Sequence, residues 1–145
     1  MNGLRLWDTC SYVRRFAEAA IERIISEDIR RRRFLLCSVV AMELYAGTRD
    51  VASKRALDVL VRHLASLDLV VSPELRDYQR VGAALRRYRL ARGSIDPRAH
   101  FRDALIAVCA ARRGAMVVTE NVKDLERWSR WLGTPAKARV VRPGA

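Results

Sequence analysis

The chain predicts a three-layer α/β/α domain built on a mostly parallel central sheet of four to five strands. Three observations lead there. Short, continuously apolar runs read as buried strands. They alternate with longer segments whose apolar residues recur at helical spacing, the pattern of strand–helix–strand units with right-handed crossovers. The 145 residues, half of them hydrophobic and 30% charged, suffice for one compact domain, and no repeat, low-complexity tract or linker divides residues 1–145.

Leu4 to Trp7 is the first predicted strand. From about Tyr12 to Arg32, Val13, Phe16, Ala17, Ala20, Ile21, Ile24, Ile25 and Ile29 keep one helical register, closed by the run Arg30 to Arg33, where cations complement the helix dipole. Phe34 to Cys37 is a second strand. Ser38 then reads as the N-cap of a helix from Val39 to Ala46 that stops at Gly47. A further helix spans about Val51 to Leu67, followed by a strand over Asp68 to Val71. Ser72-Pro73-Glu74 opens a long helix with proline in its first turn. Gly93 to Pro97 is a loop in which Asp96 serves as a turn former. The next helix covers about Arg98 to Arg113 and precedes a strand over Ala115 to Thr119. Asn121 to Trp131 reads as a loop and short helix, and Ala138 to Val141 as an edge strand.

Charge narrows the function. Twenty-eight Lys and Arg against sixteen Asp and Glu leave a formal +12, and most of the cations are arginine. Guanidinium groups bind phosphate bidentately, so a domain this basic is expected to attract nucleic acid without sequence preference. Arg30, Arg31, Arg32 and Arg33 are candidate phosphate contacts, as is the stretch Arg86 to Arg92; a solvated helix face is the competing reading. Apolar runs are far too short to cross a membrane, the N-terminus lacks the apolar core of a secretory signal, and Cys10, Cys37 and Cys109 read as reduced, buried small hydrophobes. A cytoplasmic protein is expected. His63 and His100 have no zinc-type spacing to those cysteines.

Against this basic background stand four acids, Asp8, Glu43, Asp103 and Asp124. Asp8 and Asp124 follow strands, Glu43 lies early in the helix after the second strand, and Asp103 lies near the start of a helix antiparallel to the sheet. All four therefore converge at the carboxyl edge of the sheet, where open parallel sheets bind ligands. Two carboxylates about 4 Å apart repel by roughly 4 kcal/mol at an effective dielectric near 20. Such a cluster needs a compensating cation, and hard oxygen ligands suit Mg2+ or Mn2+.

Four segments, in order and at matching separations, resemble the PIN domain and within it the VapC-type toxin ribonucleases of type II toxin–antitoxin systems. They are Leu6-Trp7-Asp8-Thr9, Ser38 to Gly47 with its Glu43-Leu44, Asp103-Ala104-Leu105-Ile106-Ala107, and Gly114 to Leu125. The resemblance covers essentially the whole chain. It implies a Mg2+- or Mn2+-dependent endoribonuclease, an RNA substrate, a cognate antitoxin that blocks the site, and a homodimer. Asp8 and Asp103 would hold the principal ion, with Glu43 and Asp124 as direct or water-mediated ligands, and Thr9, Thr119 and Asn121 in support. Three departures stand out: Trp7 at a usually aliphatic position, Glu120 where a basic residue is common, and Asn121 where many relatives have Asp. The last leaves open whether Asn121 or Asp124 completes the acid set, and whether one ion or two is bound.

Other readings fit less well. A phosphorelay receiver needs paired acids after its first strand, and a haloacid-dehalogenase-like phosphatase needs a second Asp where Cys10 stands. No Gly-rich phosphate loop with Lys-Ser or Lys-Thr is present. A non-catalytic or non-toxin PIN-fold nucleic-acid binder remains the alternative. Ser38 is as readily a cap as a ligand-positioning residue. Trp128 and Trp131 suit either base stacking or, at their i, i+3 spacing, the core.

Overall fold

A computed structural model describes residues 3–133 and 139–144. Five parallel strands form its sheet: β1 (Arg5–Trp7), β2 (Phe34–Cys37), β3 (Val70–Val71), β4 (Met116–Val118) and β5 (Arg139–Val141). They lie in the order β3-β2-β1-β4-β5, so the chain winds one way from β1 through β2 to β3 and then crosses to β4 and β5. The order reverses between β1 and β4, and a crevice at the carboxyl ends of those two strands is the expected ligand position. The register sets Trp7 opposite Val118, which makes Asp8 and Thr119 neighbours. Leu6, Leu35, Leu36 and Val117 are fully buried or nearly so, as strands covered by helices on both faces must be.

The helices are α1 (Thr9–Val13), α2 (Ala19–Arg30), α3 (Ser38–Ala46), α4 (Val51–Ser66), α5 (Leu75–Arg92), α6 (Pro97–Arg112) and α7 (Val122–Leu132). They surround the sheet in the three-layer arrangement that the periodicity predicts. α6 is the most buried, with every residue from Asp103 to Ala110 inside the core. Trp7 explains its own presence at the end of β1. Its indole N–H needs a partner when buried, and it donates to Asp28 Oδ2 at 2.9 Å. Asp28 is fully buried and also accepts from Arg33 and, at 3.4 Å, from Arg5. This carboxylate therefore ties α2 to β1 and to the entry of β2.

Several boundaries differ from the sequence reading. The helix expected from Tyr12 to Arg32 is two helices, separated by a 3-10 turn over Arg14–Phe16 and an extended Glu18. Val13 and Phe16, counted into its apolar stripe, are exposed, so the periodicity ran through a break it could not register. α2 ends at Arg30 because Arg32 turns into the left-handed region (φ 55°). Cys37, not Ser38, is the cap of α3, and Ser38 is its first residue. Pro73 precedes α5 rather than opening it. Glu74 is the cap, in a capping box with Asp77. Asp96 caps α6, accepting from Arg98 N at 3.0 Å, with Pro97 as its first residue. β3 is limited to Val70–Val71, after Asp68 in a left-handed conformation. Ala138, placed in the edge strand, lies outside the described residues. Cys37 and Cys109 are buried as expected, but Cys10 is exposed, since it lies on the open side of α1.

Trp128 is fully buried, with ring centroids 5.2 Å from Tyr88 and 5.3 Å from His100. Trp131 packs edge-on against Tyr88, with ring centroids 5.2 Å apart. The core reading of this pair holds.

Candidate acidic site

Asp8 leaves β1 at the switch point, its N–H bonded to Val118 O (2.9 Å). Its extended backbone makes it the cap of α1, with Oδ1 accepting from Thr9 N at 2.7 Å. Thr119, the residue after β4, donates its hydroxyl to Asp8 Oδ2 at 2.8 Å and accepts from Asn121 N at 3.0 Å. The ends of β1 and β4 thus fix the Asp8 carboxylate from both sides. Glu43, in the second turn of α3, accepts the Thr9 hydroxyl at Oε1 (2.7 Å). Asp103 lies in the second turn of α6, deeper in its helix than the sequence suggested. Asp124 is in the first turn of α7, not in a loop, and accepts from Asn121 Nδ2 at 2.9 Å and pairs with Arg127 at 3.4 Å.

A residue that the sequence reading passed over occupies the centre. Arg102 donates to Glu43 Oε2 through Nε (2.7 Å), to Asp103 Oδ1 through Nη1 (2.7 Å), and to Asp8 Oδ1 through Nη2. Nη2 also reaches Thr9 Oγ1 at 3.3 Å. One guanidinium thus bridges three carboxylates, from the end of β1, from α3 and from α6. Neighbours one apart on a helix ordinarily point to different sides, so Arg102 beside Asp103 gave no warning. The signal that was available is the cost of burying several acids, which demands a nearby cation.

The electrostatics follow from this arrangement. Burial pushes the Asp103 carboxyl above its ordinary pKa; Arg102 opposes that shift, and the charges of Asp8 and Asp124 add to it. Burial disfavours the charge on Arg102, but hydrogen bonds and charge attraction from Glu43 and Asp8 outweigh it and hold the guanidinium protonated. The donor set, carboxylates with flanking hydroxyls, fits a hard divalent cation. Among the described residues, no three acidic, histidine or cysteine side chains gather around one point at ion-binding distance.

The structure thus brings Asp8, Glu43, Asp103, Thr9 and Thr119 together, with Asn121 and Asp124 as a linked pair beside them. Arg30 to Arg33 precede β2, at the opposite edge of the sheet from the acids. Arg30 and Arg31 pair with Glu27, and Arg33 turns inward to Asp28. Glu120, one of the departures noted above, pairs with Arg14.

Comparison with known proteins agrees with this geometry. The model of the PIN domain matches residues 8–129, from the first acid of the cluster to the helix that carries the last. The chain belongs to the PIN-domain family. Its relatives there are of the VapC type: a VapC ribonuclease of Mycobacterium bovis and ribonuclease VapC11 of Mycobacterium tuberculosis are each 32% identical over 119 residues, 78% of this chain and 83% of theirs. The PIN fold is shared with the DNA-bound FitAB complex (TM-score 0.66, 12% identity, 97% of this chain and 95% of that one). It is also shared with VapBC2 of Rickettsia felis on a promoter fragment (TM-score 0.64, 19% identity, 96% and 98%). No helix among the described residues is long and apolar enough to cross a membrane.

Proposed function

We propose that this PIN-domain protein is a Mg2+- or Mn2+-dependent endoribonuclease that acts as the toxin of a type II toxin–antitoxin pair. The observation that carries the reading is the convergence of Asp8, Glu43 and Asp103 at the switch point of a parallel sheet, in a chain whose formal charge is +12. Similarity to named VapC ribonucleases supports it.

Asp8 and Asp103 would hold the ion, with Glu43 and Asp124 as direct or water-mediated ligands. When bound, the ion supplies an activated water and positive charge opposite the reacting phosphodiester. The protein's own part is to orient and to neutralise. Thr119 and the Thr9 amide aim the two oxygens of Asp8. Arg102 and the surface arginines offset phosphate charge. A carboxylate at the edge of the cluster accepts the proton of the attacking water, and in-line displacement leaves a 5′-phosphate and a 3′-hydroxyl. The cognate antitoxin would cover this site, the free toxin would be a homodimer, and both would work in the cytoplasm, where RNA is.

One observation favours a second reading. A guanidinium seated among the acids is also what a non-catalytic PIN-fold RNA binder would show. Incubation of the purified protein with mixed cellular RNA, with and without Mg2+, followed by mapping of the cut ends, separates the two. Cleavage that requires Mg2+ and leaves 5′-phosphates supports the nuclease. Metal-independent binding with intact RNA supports the binder.

A further inference from the structure

We propose that Arg102 takes the part of a second cation in the acidic site, anchored by Glu43, so that the site holds a single divalent ion on the side of Asp8, Asp103 and Asp124. The inference rests on the reading of this cluster as a divalent-cation site and deepens it.

Two observations carry it. The first is charge. Four carboxylates surround the site, and two guanidiniums already lie against them: Arg102 on Asp8, Glu43 and Asp103, and Arg127 on Asp124. The two charges that remain are balanced by one divalent ion. A second ion would leave the cluster positive before any substrate arrived, with two cations crowded against Arg102 at a cost of several kcal/mol. The second is direction. Glu43 commits one oxygen to Arg102 Nε and the other to the Thr9 hydroxyl, both at 2.7 Å. Both oxygens are thereby engaged by protein donors. Asp103 gives Arg102 only Oδ1 among its two oxygens, and Asp124 lies just after β4, the neighbour of β1 across the switch point. Asp8 is held at both oxygens as well, but it and Asp124 follow β1 and β4, the two strands that flank the switch point, whereas Glu43 follows β2, one strand away. Glu43 thus serves as the arginine's anchor, and the three aspartates are the ones placed to bind metal.

Calorimetric titration with Mn2+ tests this without reference to cleavage. The wild-type protein is expected to bind one ion per chain. Arg102→Gln is expected to bind a second ion, or to bind the first about tenfold tighter or more, because a unit positive charge has left its neighbourhood. A change below about fivefold with no second ion overturns the proposal, as do two ions in the wild type or none in either protein. If Arg102→Gln does not fold, as circular dichroism will show, the double variant Glu43→Gln with Arg102→Gln removes one charge of each sign and keeps the balance. It is expected to bind one ion within about threefold of wild type; a larger loss would make Glu43 a metal ligand and overturn the assignment. An arginine that only braced the fold would shift the melting temperature and leave stoichiometry and affinity unmoved. Should the titrations come out as expected while RNA stays intact, the nuclease reading fails and the role of Arg102 stands.

Discussion

Replacing Asp8 and Asp103, one at a time, by asparagine should separate two carboxylates that sequence alone treats as equivalent. Asp8 is engaged at both oxygens, by the Thr9 amide, the Thr119 hydroxyl and Arg102. Asparagine keeps one acceptor oxygen and presents an NH2 to Thr119, whose hydroxyl can turn to accept it. What is lost is the charge in the contact with Arg102. A hydrogen bond to a charged group is worth roughly 1 to 2 kcal/mol more than a neutral one, and relief of repulsion from Asp103, which is not in contact, offsets only part of this. Asp8→Asn should therefore lower the melting temperature of the metal-free protein by roughly 2 to 8 °C. Asp103 is different, because burial is the largest influence on its carboxyl and disfavours its charge. Asp103→Asn should leave the melting temperature unchanged or raise it. Both variants should lose cleavage by at least about 100-fold, since a metal's charge at the transition state is worth several kcal/mol and each 1.36 kcal/mol is about tenfold. Differential scanning calorimetry and a Mg2+-dependent RNA cleavage assay on the same preparations give both numbers. Cleavage within tenfold of wild type in either folded variant would refute the site. A fall in melting temperature for Asp103→Asn as large as that for Asp8→Asn would refute the electrostatic account.

Three further outcomes follow from named contacts. Asp28→Ala should destabilise the domain by roughly 3 to 5 kcal/mol, because it strands the nearly buried Arg33 and the Trp7 indole; urea denaturation measures it, and a loss under about 1 kcal/mol would mean that water replaces the carboxylate. Asp103 has a folded-state pKa above its unfolded one, so the native state binds more protons than the unfolded chain between those two values, and stability of the metal-free protein falls as pH rises through that window. Asp103→Asn should remove that downward slope, seen by comparing the two melting-temperature profiles as pH rises from the ordinary carboxylate range. Asp124 is partly exposed and already held by Asn121 and Arg127, so Asp124→Ala should cost less cleavage than Asp8→Ala, and equal losses would promote Asp124 to a principal ligand.

The layer order and the positions of the acids were legible because both depend on local pattern. Phe34-Leu35-Leu36-Cys37 is too short and too apolar to be anything but a buried strand, and an acid directly after a strand, like Asp8, must project from the carboxyl edge. Helix ends were less legible, because a cap is a matter of backbone angle rather than residue type. Cys37 caps α3 with an extended backbone and no side-chain bond, which leaves no trace in the residue names. The stripe that ran through Val13 and Phe16 shows the same limit: helical spacing persists across a turn that rotates those side chains to the surface. The run of arginines shows what adjacency in the chain leaves out. Of four adjacent cations, three have acidic partners just upstream, Arg30 and Arg31 on Glu27 and Arg33 on the buried Asp28, pairings that the residue names alone do not reveal.

Arg102 was hidden for a deeper reason. Its partners are 59 and 94 residues away in the chain, and its role exists only once the sheet has carried them to one edge. Burying acids is unfavourable unless the charge is answered, so a fold that gathers Asp8, Glu43 and Asp103 before any ion arrives must supply a cation from its own sequence. Arg102 meets that need from the same helix that delivers Asp103, and the metal-free protein can fold without an ion to template it. On the proposed reading, the residue that answers the charge of the cluster is also the one that limits how much metal the cluster accepts, which couples the stability of the metal-free protein to the charge available for catalysis. If that coupling is real, substitutions that weaken Arg102's hold on Glu43, such as Thr9→Val beside it, should lower the melting temperature of the metal-free protein and at the same time raise the stabilisation gained from added Mn2+. The two shifts, read by thermal denaturation with and without the ion, should move in opposite directions. A Thr9→Val protein in which both fall together would show that the guanidinium and the metal do not compete for the same carboxylates.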